Sequence, residues 1–363
     1  MLRILHTESS PSFGGQEIRI LIEAEELRKK GYNVKIACQP NSWIERFAKE
    51  LNIPTYNIRM RNEYDIIAIY NLMRLMRRIK PDIINTHSVI DSYLASIAAR
   101  IVGNIKIIRS RHLTIPTSSK LIYKLPHRII TSGEAIRKDI INRNKIPPEK
   151  VVCIPTGVDI KKFNPKLYDR EKIRKEFNIS KDEYLVSMIA FIRKMKGYPV
   201  FIEAASKVLK EIPTVKFLIV GHDFENREEE LKNQIKRLGI EPNFIFTGFR
   251  QDIPEILSAI DLFALSSLQK ETTPQVISQA LAMEKPVVAT DVGNVSDLVK
   301  NGLTGILVPP GDADALANGI LTLLKDPGMR KRMGKAGRRL VEEKFTLNQM
   351  IDKTEEVYNE LLS

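Results

Sequence analysis

The sequence predicts an α/β protein of two doubly wound domains, and three features of the 363-residue chain carry that expectation. Short β-branched runs alternate with amphipathic helical runs from end to end, the pattern of parallel sheets covered by helices on both faces. The strand-like runs number about a dozen, too many for one ordinary open sheet. Between the two halves lies "GVDIKKFNPKLYDREKI", from Gly157 to Ile173, a polar stretch that sustains no period. The boundary is placed there: residues 1–160 form a first Rossmann-like domain, 161–345 a second, and 346–363 a closing helix that packs back on the first.

In chain order, strands are read at "LRILHT", "NVKIAC", "DIINTH", "IKIIRS", "RIITSG" and "VVCIPT", then at "YLVSMIAFI", "VKFLIVG", "NFIFTGF", "LFALSS", "PVVAT" and "GILVPP". Intervening stretches such as "GGQEIRILIEAEELRKKGYN" are long enough for crossover helices. The terminal "FTLNQMIDKTEEVYNELLS" reads as an amphipathic helix with Leu347, Met350, Ile351, Val357 and Leu361 as its apolar residues. Ligands of such folds sit at the carboxyl ends of strands. The loops "HTESSPSFGG" and "FIRKMKG", each following the first strand of its half, are therefore expected to face each other across a cleft.

Composition narrows the class. The apolar share is 43%, yet the longest apolar runs are strand-length, far short of the ~20 residues that span a bilayer. "MLRILHTESSPS" turns polar too early for a signal peptide, and Cys38 and Cys153 lack metal-ligand spacing, so a cytoplasmic protein with two small core cysteines is expected. The net charge of +13 is uneven: residues 1–150 hold 26 Lys/Arg against 14 Asp/Glu, the remainder 31 against 30. That asymmetry points to an anionic partner for the first half.

Four motifs carry the chemistry. "SFGGQEIR" sets Gly14 and Gly15 between a strand and a helix, where the backbone can approach an anion at the helix amino end; a plain tight turn reads the same way. "FIRKMKGYPV" puts Arg193, Lys194 and Lys196 in a strand-to-helix loop, suited to phosphate oxygens or to a solvated surface. In "SSLQKETTPQVISQALAMEKPVVATDVG", Thr273 is read as the N-cap and Pro274 as the first helical residue, with Glu271 just outside the positive helix end and Gln279 within the helix. His87 and His112 both follow strands at the expected carboxyl edge. Asp312-x-Asp314 follows "VPPG" and is read as a helix cap rather than a metal pair. No zinc cluster, Walker loop or Ser/His/Asp elbow is found, and no metal is expected.

Taken in order, "GGQEIRILIEAEELRKKGYNVKIA", "CIPTGVDIKKF", "IRKMKGYPVFIEA", "FLIVGHD", "IFTGFRQDIPEILSAIDLFALSS", "ETTPQVISQALAMEKPVVATDVG" and "NGLTGILVPPGDADALANGI" resemble the segments of glycosyltransferase family 4, retaining enzymes with the GT-B fold. The resemblance covers nearly the whole chain and is strongest from Val151 to Leu316. It implies a donor that is a UDP-, GDP- or ADP-sugar, with His112 and Glu271 at the reacting sugar. Gly14, Gly15, Arg193, Lys196, Thr273 and Pro274 are implied at the diphosphate, although the spacing from Arg193 to Lys196 is shorter than the family's usual. The donor sugar and ribose fall to Glu271, Thr272 and Gln279, the last an amide where the family's motif has an acid, and the base to Phe249 and Arg250.

The basic half fits an anionic or lipid-linked glycan acceptor, of the lipopolysaccharide kind, at the inner membrane face. "AIYNLMRLMRRIKPD" sets Leu72, Leu75, Met76 and Ile79 near Arg74, Arg77, Arg78 and Lys80, as an interfacial helix would; a packed crossover helix with a solvated basic face has the same pattern. Other readings stay open: a nucleotide-sugar epimerase of the same fold, or a nucleotide-sugar-binding protein without catalysis. Nucleic acid is not expected as a partner, with 7% aromatic residues and no binding signature.

Overall fold

Each half of the chain folds around one parallel sheet in the computed structural model, which describes residues 1–112, 121–269 and 274–363. The chain divides into two units, Met1–Thr156 with Asn348–Ser363, and Gly157–Leu347. In the first unit the strands are β1 (Arg3–Glu8), β2 (Asn33–Cys38), β3 (Thr55–Asn57), β4 (Ile83–Thr86), β5 (Lys106–Arg111), β6 (Arg128–Thr131) and β7 (Val151–Cys153), in sheet order β3-β2-β1-β4-β5-β6-β7. The order reverses direction between β1 and β4, which makes that junction the topological switch point where ligands of doubly wound sheets bind. Ile4 pairs with Ile83 and His6 with Asn85 across it.

The second unit repeats the plan with β8 (Tyr184–Ile189), β9 (Val215–Val220), β10 (Phe244–Phe246), β11 (Leu262–Leu265), β12 (Val287–Thr290) and β13 (Gly305–Val308), in order β10-β9-β8-β11-β12-β13. Its switch point lies between β8 and β11. Every run read as a strand is one; β3 alone escaped, because Thr55–Asn57 is a three-residue edge piece with no apolar run.

Both central strands of each sheet are buried on two faces and are correspondingly apolar. In the second unit Phe217 on β9 packs edge-on to Phe201 and stacks on Phe244, with Phe263 and Leu265 of β11 fully buried in the same core. In the first unit Leu5, Ile84 and Ile107 meet Leu72, Leu75, Met76 and Leu94 on one side. The other side of that sheet is different: it carries His6 and Asn85, both fully buried, against helix Gly15–Lys29.

The C-terminal helix Leu347–Leu362 buries Met350, Ile351, Val357 and Leu361, as its periodicity predicts, and Tyr358 besides. From residue 348 it belongs to the first unit. Tyr358 donates its hydroxyl proton to Glu23 at 2.9 Å, and Lys30 pairs with Asp352 at 2.8 Å and with Glu355. Of the two cysteines expected in the core, Cys38 is buried, its thiol pushed up to about 12 chiefly by burial, whereas Cys153 is only half-buried.

Candidate functional site

At the first switch point the loop after β1 is held by an aromatic cluster: Phe13 packs on Phe47 with ring centroids 4.7 Å apart, and Trp43 lies 6.0 Å from Phe47. Gly14 is extended, at φ −172, and caps helix Gly15–Lys29. A Cβ on Gly14 would make only an ordinary 3.5 Å contact with Glu17, and one on Gly15 would meet no described atom within 4 Å. Neither glycine is therefore demanded by packing against the described residues.

Two buried acids that the sequence reading missed tie this loop to the end of β4. Glu8, the last residue of β1, accepts from the Ser10 amide at 2.8 Å, the Gln16 side-chain amide at 2.6 Å and the Ser88 hydroxyl. Asp91 accepts from the Thr7 hydroxyl at 2.7 Å, the Ser9 hydroxyl at 3.2 Å and the His87 amide at 2.9 Å. Burial, then the neighbouring Asp91 and Glu17, hold the Glu8 carboxyl well above the usual carboxylate range. Burial likewise raises Asp91 to about 6. The signal was present in "HTES", which places His6 and Glu8 on a strand otherwise bound for the core.

His112 and His87 come together, and His6 joins them. The three buried rings form a stack, His6 on His87 at 5.3 Å and His87 on His112 at 5.5 Å between centroids, with interplanar angles of 17° and 13°. His6 Nδ1 lies 3.0 Å from His87 Nε2, and His87 Nδ1 lies 3.2 Å from His112 Nε2. Burial first, then the surrounding rings and arginines, pushes His87 and His112 well below the usual imidazole value; burial lowers His6 as well, against Glu23.

At the second switch point the loop after β8 carries the predicted cations. Arg193 lies over the rings of Phe191 and Phe224, 5.6 and 5.2 Å from their centroids, and Lys194–Lys196 forms a single 3-10 turn. Gly197 ends that turn at φ 69, and a Cβ there would stand 2.1 Å from the Ser266 carbonyl oxygen, so no other residue fits. The Ser266 hydroxyl lies within donating distance of the Lys196 and Gly197 carbonyls, at 3.1 and 3.0 Å, and the Leu268 amide donates to the Met195 carbonyl at 2.8 Å. The cationic loop is thereby fixed, through its backbone, to the segment after β11.

Glu271, Thr272 and Thr273 lie outside the described residues. The helix that follows is Gln275–Ala282, with Pro274 in the capping position, one residue later than the sequence suggested, and Gln279 half-buried in its second turn. Phe249 is exposed, while the Arg250 guanidinium is taken up by Asp252 at 2.7 Å, by Glu176, and by the Phe177 ring. Asp312 accepts from the Ala315 amide at 2.8 Å as a helix cap, and Asp314 pairs with Lys207 at 2.6 Å.

Of the two readings of the basic helix Ile66–Ile79, the structure bears out the packed crossover helix and overturns the interfacial face: Leu72, Leu75 and Met76 are buried in the core of the first unit, and Ile79 packs against it. The apolar residues that meet solvent are others: Tyr64 is 80% exposed, Ile66 78%, Ile67 66% and Tyr70 60%. Arg59, Arg61, Arg74, Arg77 and Arg78 are exposed on the same segment. Among the described residues no helix is long and apolar enough to cross a membrane.

Comparison with known proteins matches residues 169–340 to the family described as Glycosyl transferases group 1 and residues 13–162 to the one described as Glycosyltransferase Family 4. The UDP-Gal:alpha-D-GlcNAc-diphosphoundecaprenol alpha-1,3-galactosyltransferase of Escherichia coli is 26% identical over 385 residues, spanning 99% of this chain and 97% of that protein. Among solved structures, a glycosyltransferase from Rickettsia africae ESF-5 superposes with a TM-score of 0.90 at 23% identity, over 100% of this chain and 99% of the other. HepE from Anabaena in complex with UDP-glucose gives 0.86 at 22%, over 99% and 100%.

Proposed function

The chain belongs to glycosyltransferase family 4 and has the GT-B architecture of two doubly wound units. From that premise we propose that it moves a sugar from a nucleoside-diphosphate sugar to a hydroxyl of an anionic or lipid-linked cell-envelope glycan, with retention and without a metal. The observation that carries this reading is the cationic turn Arg193–Lys196, whose backbone is fixed to Ser266 and Leu268 at the β8/β11 switch point. Doubly wound sheets bind phosphorylated ligands at that junction, and the amino end of helix Gln275–Ala282 adds partial positive charge beside it. The E. coli relative is named for a UDP-sugar donor and a lipid diphosphate acceptor, and the Anabaena neighbour for bound UDP-glucose.

In this reading the bond from the anomeric carbon to the diphosphate oxygen breaks and one to the acceptor oxygen forms on the same face. The acceptor proton passes to a diphosphate oxygen. Arg193 and Lys196 stabilise the charge left on the departing diphosphate, with Thr273 and the helix amides adding to it and Pro274, which has no N–H to give, setting where that helix begins. Glu271 and Thr272 hold the sugar hydroxyls, and Gln279 the ribose, through one accepted and one donated hydrogen bond instead of the two that a carboxylate would accept. Gly14 and Gly15 let the backbone approach the phosphates and sugar, and His112 lies beside the sugar. Phe249 and Arg250 keep the base through their backbone, since the Arg250 side chain is engaged elsewhere.

Melting curves against UDP-, GDP- and ADP-sugars test the donor half. One of the three should raise the midpoint by mass action, equivalent to about 2.7 kcal/mol at a hundred times Kd. Lys196→Ala should lose that rise and Glu271→Ala should lose transfer, both in the presence of a chelator. No rise with any donor ends the assignment, and epimerised donor appearing without acceptor would replace transfer by epimerisation.

For the acceptor half, our reading has the enzyme work peripherally at the cytoplasmic face of the plasma membrane. Tyr64, Ile66, Ile67 and Tyr70, exposed on a stretch of chain that also exposes five arginines, have the composition of an interfacial anchor for anionic lipid. Ile67→Asp should weaken co-sedimentation with vesicles containing phosphatidylglycerol severalfold; equal binding to neutral vesicles would remove the anionic lipid from this account, and no binding to either kind would remove the membrane.

A further inference from the structure

The three histidines are arranged as a series rather than a cluster. His6 pairs with Asn85 across β1 and β4, and Asn85 with Ile108 across β4 and β5, so alternation puts His6, Asn85, His87, Ser110 and His112 on one face. That face is buried beneath the helix bearing Glu23. Glu23 accepts from the Tyr358 hydroxyl at 2.9 Å and from the Asn85 amide at 3.3 Å, and Ser110 donates to Asn85 at 2.9 Å. Its Oε1 stands 4.0 Å from His6 Nε2, a nitrogen with no hydrogen-bond partner among the described residues.

A buried polar row of this kind costs stability wherever it is left unsatisfied, and an apolar face would serve packing better. In a chain of rings, the proton of each imidazole is set by what its other nitrogen meets. A carboxylate can only accept. At 4.0 Å Glu23 makes no hydrogen bond to His6, but the carboxylate's charge favours the ring form that keeps Nε2–H on its side and leaves Nδ1 bare. His87 must then donate from Nε2 to His6 Nδ1, which leaves its own Nδ1 to accept from His112 Nε2–H.

We propose that Glu23 sets the direction of a His6–His87–His112 hydrogen-bond series and thereby holds His112 with Nδ1 unprotonated, as a fixed acceptor for a ligand hydroxyl. Glu23, His6 and His87 are positioning residues that act through His112. The ligand contact rests on the reading of His112 as a site residue; the series and its direction do not. Burial of all three rings, and the Arg19, Arg109 and Arg111 guanidinia around them, keep the rings neutral, which a single-direction series requires.

The chain contains only five histidines, so the long-range proton–nitrogen spectrum of the ¹⁵N-histidine-labelled, ligand-free protein can be assigned ring by ring. At pH 7.5 the expected pattern is a bare Nδ1 and a protonated Nε2 on His6, His87 and His112 alike. A protonated Nδ1 on His112, or a charged ring there, overturns the proposal whether or not any donor binds. In Glu23→Gln, whose amide can donate as well as accept, the His112 Nδ1 signal should move from the bare toward the protonated position. An unmoved signal overturns the role of Glu23. Tyr358→Phe, which keeps the carboxylate, should leave the His112 tautomer unchanged, and a change there would show that packing rather than the carboxylate sets it. If Glu23→Gln does not fold, the wild-type pattern still decides.

Discussion

At the β1/β4 junction the loop is tied down by side chains that titrate, Glu8 to Ser88 and Gln16, and Asp91 to Thr7, Ser9 and the His87 amide. At the β8/β11 junction the same task falls to one serine hydroxyl, a backbone hydrogen bond, a glycine in the left-handed region and a single carboxylate, Glu225, on the Lys194 amide. Both sheets have the same strand order at these points. The first junction buries acids and imidazoles, which is costly in a low dielectric and makes its stability depend on pH. The second carries its cations on a backbone held mainly by neutral groups, with one exposed carboxylate, Glu225, accepting from the Lys194 amide at 2.7 Å. A polar, titratable lining suits discrimination among hydroxyls; a rigid cationic turn suits a diphosphate that must be met in one geometry.

The glycines give the sharpest way to break this contrast. Gly197→Ala puts a Cβ 2.1 Å from the Ser266 carbonyl in a residue already at φ 69. The left-handed backbone alone costs about 1–2 kcal/mol, and relief of the overlap should bring the loss to roughly 3 kcal/mol or more. Gly15→Ala meets no described atom within 4 Å at the head of a helix, so stability should change by no more than about 0.5 kcal/mol. Its effect should fall on donor-induced stabilisation instead. Residue-resolved hydrogen exchange reads the two units separately. A stable Gly197→Ala would mean the second junction is not held as described, and a Gly15→Ala with full donor response would remove the first glycine pair from ligand binding.

How far the sequence could be read follows the same division. The strands and the cationic turn were legible because periodicity and local composition are properties of neighbouring residues. Glu8, Asp91 and His6 were not singled out, because their meaning depends on β1 lying beside β4, some eighty positions away, with His6 opposite Asn85. On helix Ile66–Ile79 the period correctly grouped Leu72, Leu75 and Met76, but a period says which residues share a face and not whether that face meets water. The structure gives that stripe to the core and leaves Ile66, Ile67 and Tyr70 outside. The amide Gln279 was plain in the sequence and remains half-buried in its helix.

A smaller and finer test compares the two serines. Ser266→Ala removes a neutral hydroxyl from two carbonyls and should cost about 1 kcal/mol at every pH. Ser88→Ala removes a donor from Glu8, whose carboxyl is held above its ordinary value of 4.5 and which that donor pulls down. A carboxyl raised in the folded state gives stability that is full below its unfolded value and is lost as pH climbs through the folded one. Without Ser88 the folded value moves higher still, so more is lost across that window. The cost of Ser88→Ala should therefore start near 1 kcal/mol in acid, where the bond is between neutral groups, and grow toward about 2 kcal/mol as Glu8 ionises. Denaturation of both variants from pH 4 to 8 separates the cases. Two parallel profiles would mean that Glu8 does not titrate within its network, and that the two junctions differ in composition but not in electrostatics.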